Sequence, residues 1–179
     1  GVITKLENGR IYVLTNYHVI KTSTPSVRFE GDDAFWEAKV EGYDKHYDVA
    51  VISVENVAPY EVFNLDGSKF FDRNVAYAEG DIVVAIGNAL GYGLAAYDGI
   101  VSRAAELIEY SDGDGTKTVP LLRTTAAVNA GMSGGGLFDT DGNLIGLGTY
   151  RISSSATDSG ASHKDDVEDT GLAVPMSVV

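Results

Sequence analysis

Short apolar-rich runs recur along this chain between glycine-containing turns, some continuous and some alternating with polar residues, the pattern of strands with one or both faces toward a core. Residues 1–5 and 10–15 are two such runs, joined at Glu7-Asn8-Gly9. Asn-Gly between alternating hydrophobics is the strongest short signal of a β-hairpin. Residues 27–30 and 35–43 predict a second hairpin, with Gly31-Asp32-Asp33 at its turn. Val49-Ala50-Val51-Ile52-Ser53-Val54 and residues 81–87 read as buried strands. Residues 97–103 and 119–125 read as two more, with the acidic turn Asp112-Gly113-Asp114-Gly115 between them, and residues 171–175 as the last. Residues 56–79 are looser and read as a connection between lobes, while residues 88–93 form a glycine-rich loop. Residues 151–170 are rich in Ser, Asp and Gly and poor in large apolar side chains, which predicts a surface loop.

Composition agrees with this pattern. With 179 residues, 44% of them hydrophobic, the chain can bury a real core as one compact unit or one unit of two small lobes. Glycine is abundant (21 against 4 Pro), and together with many Val, Ile, Thr and Tyr it favours short strands and tight turns, so the expected class is all-β. A formal net charge of −13 argues against a nucleic-acid partner and against direct contact with an anionic membrane. Without cysteine there is no thiol nucleophile and no disulfide framework. Gly1-Val2-Ile3 already reads as a strand in progress, so the chain is expected to be cut from something longer.

The candidate chemistry centres on Gly131-Met132-Ser133-Gly134-Gly135-Gly136, a serine inside a glycine cluster that precedes a strand, the turn Asp141-Gly142-Asn143 and another strand. Glycines on both sides let the backbone come close to another molecule and turn several N–H groups to one spot, as an oxyanion requires. By itself the stretch equally fits a hairpin connection whose serine caps a turn. His18 stands where the strand of residues 10–15 gives way to a short turn, and alone it would read as a core histidine. Asp48 stands just before the apolar run at Val49, where a buried charge is costly unless it is hydrogen-bonded. His18, Asp48 and Ser133 together supply a base, an orienting acid and a nucleophile, in that chain order. His46 and His163 lie in polar loops, and a metal site built on His18, His46 and Asp48 matches no ligand spacing.

Six segments, in order, resemble the motifs of trypsin-like serine proteases, and most of all the HtrA (Deg) family: Thr15-Asn16-Tyr17-His18-Val19, Asp48-Val49-Ala50-Val51-Ile52, Gly87-Asn88, Asp98-Gly99-Ile100-Val101-Ser102, Gly131-Met132-Ser133-Gly134-Gly135 and Gly171-Leu172-Ala173-Val174-Pro175. The resemblance implies two six-stranded antiparallel β-barrels, residues 1–75 and 76–179, with the active site in the cleft between them. It implies catalysis by His18, Asp48 and Ser133, with an oxyanion hole from the N–H groups of Gly131 and Ser133. Primary specificity would rest on Ala127, six residues before the serine, and on a wall formed by Gly148, Thr149 and Arg151. The implied activity is peptide-bond hydrolysis through an acyl-enzyme without a cofactor, directed at protein or peptide substrates in protein quality control. A protease-like domain that binds a peptide or partner with little turnover is the alternative. The resemblance also implies an extracytoplasmic location and a homotrimer of the longer protein. Two positions depart from the family pattern: Met132 stands where Asn is usual, and Gly136 where Pro is usual.

Overall fold

The computed structural model describes residues 1–55, 74–112, 115–149 and 170–179. Residues 56–73 of the expected lobe connection, Gly113 and Asp114 of the acidic turn, and residues 151–169 of the expected surface loop, with Arg151 and His163, lie outside the described residues.

The described residues include twelve strands, a single α-helical turn and one 3-10 turn. The first hairpin, β1 (Val2–Glu7) and β2 (Arg10–Thr15), turns through Asn8 and Gly9, both at positive φ (51° and 71°). Such a pair of left-handed residues matches the twist of the flanking strands. After β2 comes α1 (Tyr17–Ile20), one helical turn where a short turn is expected. The next segment departs from the expected second hairpin. Residues 35–43 divide between β4 (Trp36–Glu37), which pairs with β3 (Ser26–Val27), and β5 (Lys39–Asp44), which pairs instead with β6 (Val49–Glu55). The break falls after Ala38, whose N–H still follows β3 by donating to the Pro25 carbonyl at 2.9 Å, while from Lys39 on the chain pairs with β6.

In the second half, β7 (Ile82–Gly87), β8 (Ala95–Asp112), β9 (Gly115–Thr124), β10 (Gly136–Asp139), β11 (Leu144–Gly148) and β12 (Gly171–Pro175) close into a six-stranded barrel. The closing seam is β10 against β7, from Gly136↔Ile86 to Asp139↔Val83. The β8–β9 ladder runs far past the expected end at Arg103, with register shifts between Val101 and Glu106, and its Tyr110 and Val119 are buried in the cluster shared with Leu14 and Val49. Its length escapes a sequence reading because Ala104-Ala105-Glu106 carries little strand propensity.

The first half is not a closed six-stranded barrel among the described residues: it is a four-stranded sheet, β1-β2-β6-β5, beside the separate β3–β4 ribbon. Each strand of that ribbon has two residues, Ser26 opposite Glu37 and Val27 opposite Trp36. Edge strand β5 is exposed throughout and is held through Glu41, which accepts from the buried Ser53 hydroxyl of β6 at 2.5 Å.

Period 2 assigns the residues of β2 and β6 to two different cores. Ile11 and Val13, with Ala50, Ile52 and Val54, pack against Ile20 and Phe29 inside the first half. Leu14 and Val49 face the other way, into a cluster with Leu121, Leu144, Leu147, Leu172, Val174 and Met176 of the barrel. Burying a side chain such as Leu14 contributes about 2 kcal/mol. This shared cluster joins the halves, and its Leu14 and Val49 stand on the strand ends that lead to His18 and from Asp48. A third cluster, with Val83, Leu122, Val128, Met132, Leu137 and Ile145, fills the barrel.

At Gly99 strand β8 presses on the backbone of residues 125 and 126: an added Cβ would collide with the Ala126 nitrogen and lie 2.8 Å from the Thr125 carbonyl carbon. Gly99→Ala is therefore expected to cost about 3 kcal/mol, because backbone, unlike a side chain tip, cannot yield. Denaturant unfolding measures it; a loss below about 0.5 kcal/mol would contradict the contact.

Candidate active site

Asn16 is the cap residue of α1, with extended backbone (φ −80°, ψ 148°), and its side chain makes no capping hydrogen bond to the helix. Its amide Nδ2 donates instead to the Asp48 carbonyl at 2.9 Å, alongside the Tyr17 N–H at 3.1 Å. Asp48 has φ +58°, the left-handed region, where Asp is tolerated better than most residues. That conformation returns its carboxylate toward the helix. Oδ1 accepts the His18 backbone N–H at 2.8 Å and Oδ2 accepts from His18 Nδ1 at 2.6 Å. The Thr149 hydroxyl also donates to Oδ2, at 3.3 Å from the opposite half of the molecule. Asp48 is only 4% exposed, and these three donors offset the cost of burying its charge. An ionised carboxylate can only accept, so the proton of the neutral imidazole sits on Nδ1 and the lone pair on Nε2.

Ser133 follows a tight turn. The Met132 N–H bonds the Asn129 carbonyl at 2.9 Å, and Gly131 holds φ +90° at the third position of that turn, as a type II turn demands. The Ala130 carbonyl accepts the Leu90 N–H at 2.9 Å. In a trans peptide C=O and N–H point oppositely, so the Gly131 N–H is aimed away from the 88–91 segment. That segment is a 3-10 turn, Ala89–Gly91, in which Leu90 itself takes φ +56°. It is braced by the Gly93 N–H on Asn88 Oδ1 at 2.9 Å. A Cβ on Gly131 would lie 2.6 Å from the Asn88 carbonyl oxygen and 2.8 Å from the Leu90 nitrogen, so only glycine fits.

The residues flanking Ser133 are anchored in both halves. Met132 is buried in the barrel core. Gly134 lies flat on Thr15, where a Cβ would collide with Thr15 Oγ1, and its N–H donates to the Gly148 carbonyl at 3.0 Å. Thr15 is three residues before His18. The serine loop, the histidine and the carboxylate are thus held where the two halves meet, by Gly134 on Thr15 and by Thr149 on Asp48.

Ala127 is half-buried between β9 and the serine turn, and Gly148 is buried in β11, where a Cβ would stand 3.3 Å from Val128 Cγ1. Thr149 is fully buried with its hydroxyl on Asp48. Arg151 lies outside the described residues. Among the described residues no group of three His, Asp or Glu side chains could hold a metal ion. Asn16, Thr15 and Leu90, to which the sequence alone assigns no role, also hold the site together. A signal existed for Asn16, a polar residue between an apolar strand and His18, but not for Leu90, whose part is played by its backbone.

Comparison with known proteins bears on the same residues. Residues 1–147 match the family described as the trypsin-like peptidase domain. The chain is 33% identical over 183 residues to the serine protease Do-like HtrA of Bacillus subtilis (strain 168), covering all of this chain and 37% of that protein. It is 32% identical over 179 residues to the periplasmic serine endoprotease DegP of Escherichia coli (strain K12), covering all of this chain and 33% of that protein. The crystal structure of the serine endoprotease from Yersinia pestis superposes with a TM-score of 0.67 at 28% identity, over 99% of this chain and 53% of that one. The chain therefore spans roughly a third to a half of the length of these relatives. The mostly β architecture is that of a chymotrypsin-like fold. Because the family match runs unbroken through the segments carrying His18, Asp48 and Ser133, this chain belongs to the trypsin-like peptidase family.

Proposed function

We propose that this chain is the protease domain of an HtrA-like serine endopeptidase, with two lobes that meet at residue 75 or close to it and a catalytic cleft between them. The observation that carries the reading is the double grip of Asp48 on His18, at 2.6 Å to Nδ1 and 2.8 Å to the backbone N–H. It presents Nε2 as the base. In the proposed reaction Ser133 Oγ attacks the scissile carbonyl carbon while His18 Nε2 takes its proton. The carbonyl oxygen becomes an oxyanion held by the N–H groups of Gly131 and Ser133. His18 then returns the proton to the leaving amine, and water repeats the sequence on the acyl-enzyme. Asp48 remains ionised throughout and stabilises the imidazolium. The orientation that Leu90 imposes on the Ala130–Gly131 peptide supports the assignment of Gly131 to the hole. Met132 at the usual Asn position leaves a main-chain hole unaffected. Substrates would be proteins or peptides, with an extracytoplasmic setting and a trimer of the longer protein, by analogy with relatives such as DegP. Covalent labelling by a fluorophosphonate tests the reading, because only an activated serine reacts; an unlabelled, folded protein would refute it.

Ala127 and Gly148 offer no counter-charge to a basic P1 side chain, which would lose hydration without replacement. Cleavage of a P1-varied peptide library is expected to favour Val, Ala or Leu. Preference for Lys or Arg would overturn this specificity; preference for Glu or Asp would assign Arg151 to the site, and Arg151→Ala should then abolish that preference.

A further inference from the structure

We propose that Asn16 is a positioning residue of the triad, acting through the backbone of Asp48; this rests on the triad reading above. Three observations lead there. An asparagine at a helix cap ordinarily turns its side-chain oxygen to the N–H groups of the first turn. Here that place is taken by Asp48, whose Oδ1 accepts the His18 N–H at 2.8 Å, and the Asn16 side chain is turned back to donate to the Asp48 carbonyl at 2.9 Å. This clasp is an exchange of roles: Asn16 satisfies the backbone carbonyl of Asp48, and Asp48 satisfies the His18 N–H that the cap residue would ordinarily serve.

The clasp has a cost. Asn16 is wholly buried, and its Oδ1 has no hydrogen-bond partner among the described residues. Rotating the amide would bring that oxygen against the Asp48 carbonyl, so the donor must face Asp48 and the acceptor must go unmatched. A buried unmatched acceptor is destabilising, and a small apolar residue would avoid it. What the amide supplies in return is restraint of Asp48 at φ +58°, a strained conformation that persists only where surroundings enforce it. If Asp48 relaxed to an extended backbone, its carboxylate would swing off one or both His18 N–H groups. Tyr17 N–H, the other donor to that carbonyl at 3.1 Å, belongs to α1 itself and cannot hold Asp48 in register independently of the helix it starts. Asn16 is wholly buried and so is not placed to touch substrate.

The inference predicts that Asn16→Ala lowers kcat by about 10- to 100-fold with KM within twofold, and slows fluorophosphonate labelling by the same factor. A merely structural role would lower the folded fraction and leave the kcat of folded molecules intact. Should Asn16→Ala not fold, Asn16→Ser, which keeps a polar group in the space, carries the same expectation. The decisive measurement is a double-mutant cycle on labelling rate with Asp48→Asn. If Asn16 acts through Asp48, adding Asn16→Ala to Asp48→Asn changes the rate by less than about twofold. A full multiplicative loss, or an unchanged rate in the single variant while the wild type labels, would overturn the role of Asn16 alone. Absence of labelling in the folded wild type would instead overturn the triad reading and this inference with it.

Discussion

Ser133→Ala and His18→Ala are each expected to reduce kcat for peptide hydrolysis by about six orders of magnitude, the loss seen when the nucleophile or base of such a triad is removed. The two should differ in stability. Ser133→Ala deletes one oxygen from a partly exposed side chain in a loop whose shape is set by Gly131, Met132 and Gly134, so its unfolding free energy should change by about 0.5 kcal/mol or less. His18→Ala removes the ring that donates to Asp48 Oδ2 and leaves a buried carboxylate oxygen with only the 3.3 Å Thr149 contact. It should cost about 2 kcal/mol. Hydrolysis of casein with paired denaturant titrations checks both; near-normal cleavage by the Ser133→Ala protein would end the protease assignment.

Asp48→Asn is expected to lower kcat by about four orders of magnitude with the backbone undisturbed, as the same change does in the chymotrypsin triad. An Asn side chain keeps the left-handed backbone acceptable, and its oxygen can still take the His18 backbone N–H. Its NH2 then faces His18 Nδ1, where Oδ2 now stands at 2.6 Å. Two donors cannot meet, so the imidazole must place its proton on Nε2, the nitrogen that has to receive the serine proton. The lesion is one of proton placement, so KM should move little while kcat collapses. A kcat within tenfold of wild type would show that Asp48 does not set the tautomer.

Much of the strand pattern was legible because strands announce themselves by period 2 and glycine turns. The Asn8-Gly9 hairpin, the run opening at Val49, the strand at residues 82–87 and the final strand at Gly171 all stand near their expected places. The second hairpin did not. Residues 35–43 alternate throughout, and alternation says which face is apolar without saying which neighbour a strand takes, so only the folded sheet could split them between β3 and β6. For the same reason the closure of six strands in one half, and of none in the other among the described residues, could not be read from local sequence.

The sequence by itself determined the chemical inventory: a histidine ending an apolar strand, an aspartate opening another, and a serine among glycines that tolerate positive φ. Resemblance to a family assigned their roles. Tertiary structure alone decided how they meet. The pairing of β2 with β6 brings Asn16 and His18 to Asp48 across 32 and 30 residues, and the shared apolar cluster around Leu14 and Leu147 brings Thr149 to Asp48 across 101. Hydrogen bonds act over about 3 Å, whereas sequence separation carries no such length. The parts played by the Leu90 N–H and the Asp48 carbonyl are backbone parts, common to nearly every residue, so no side-chain motif could have announced them.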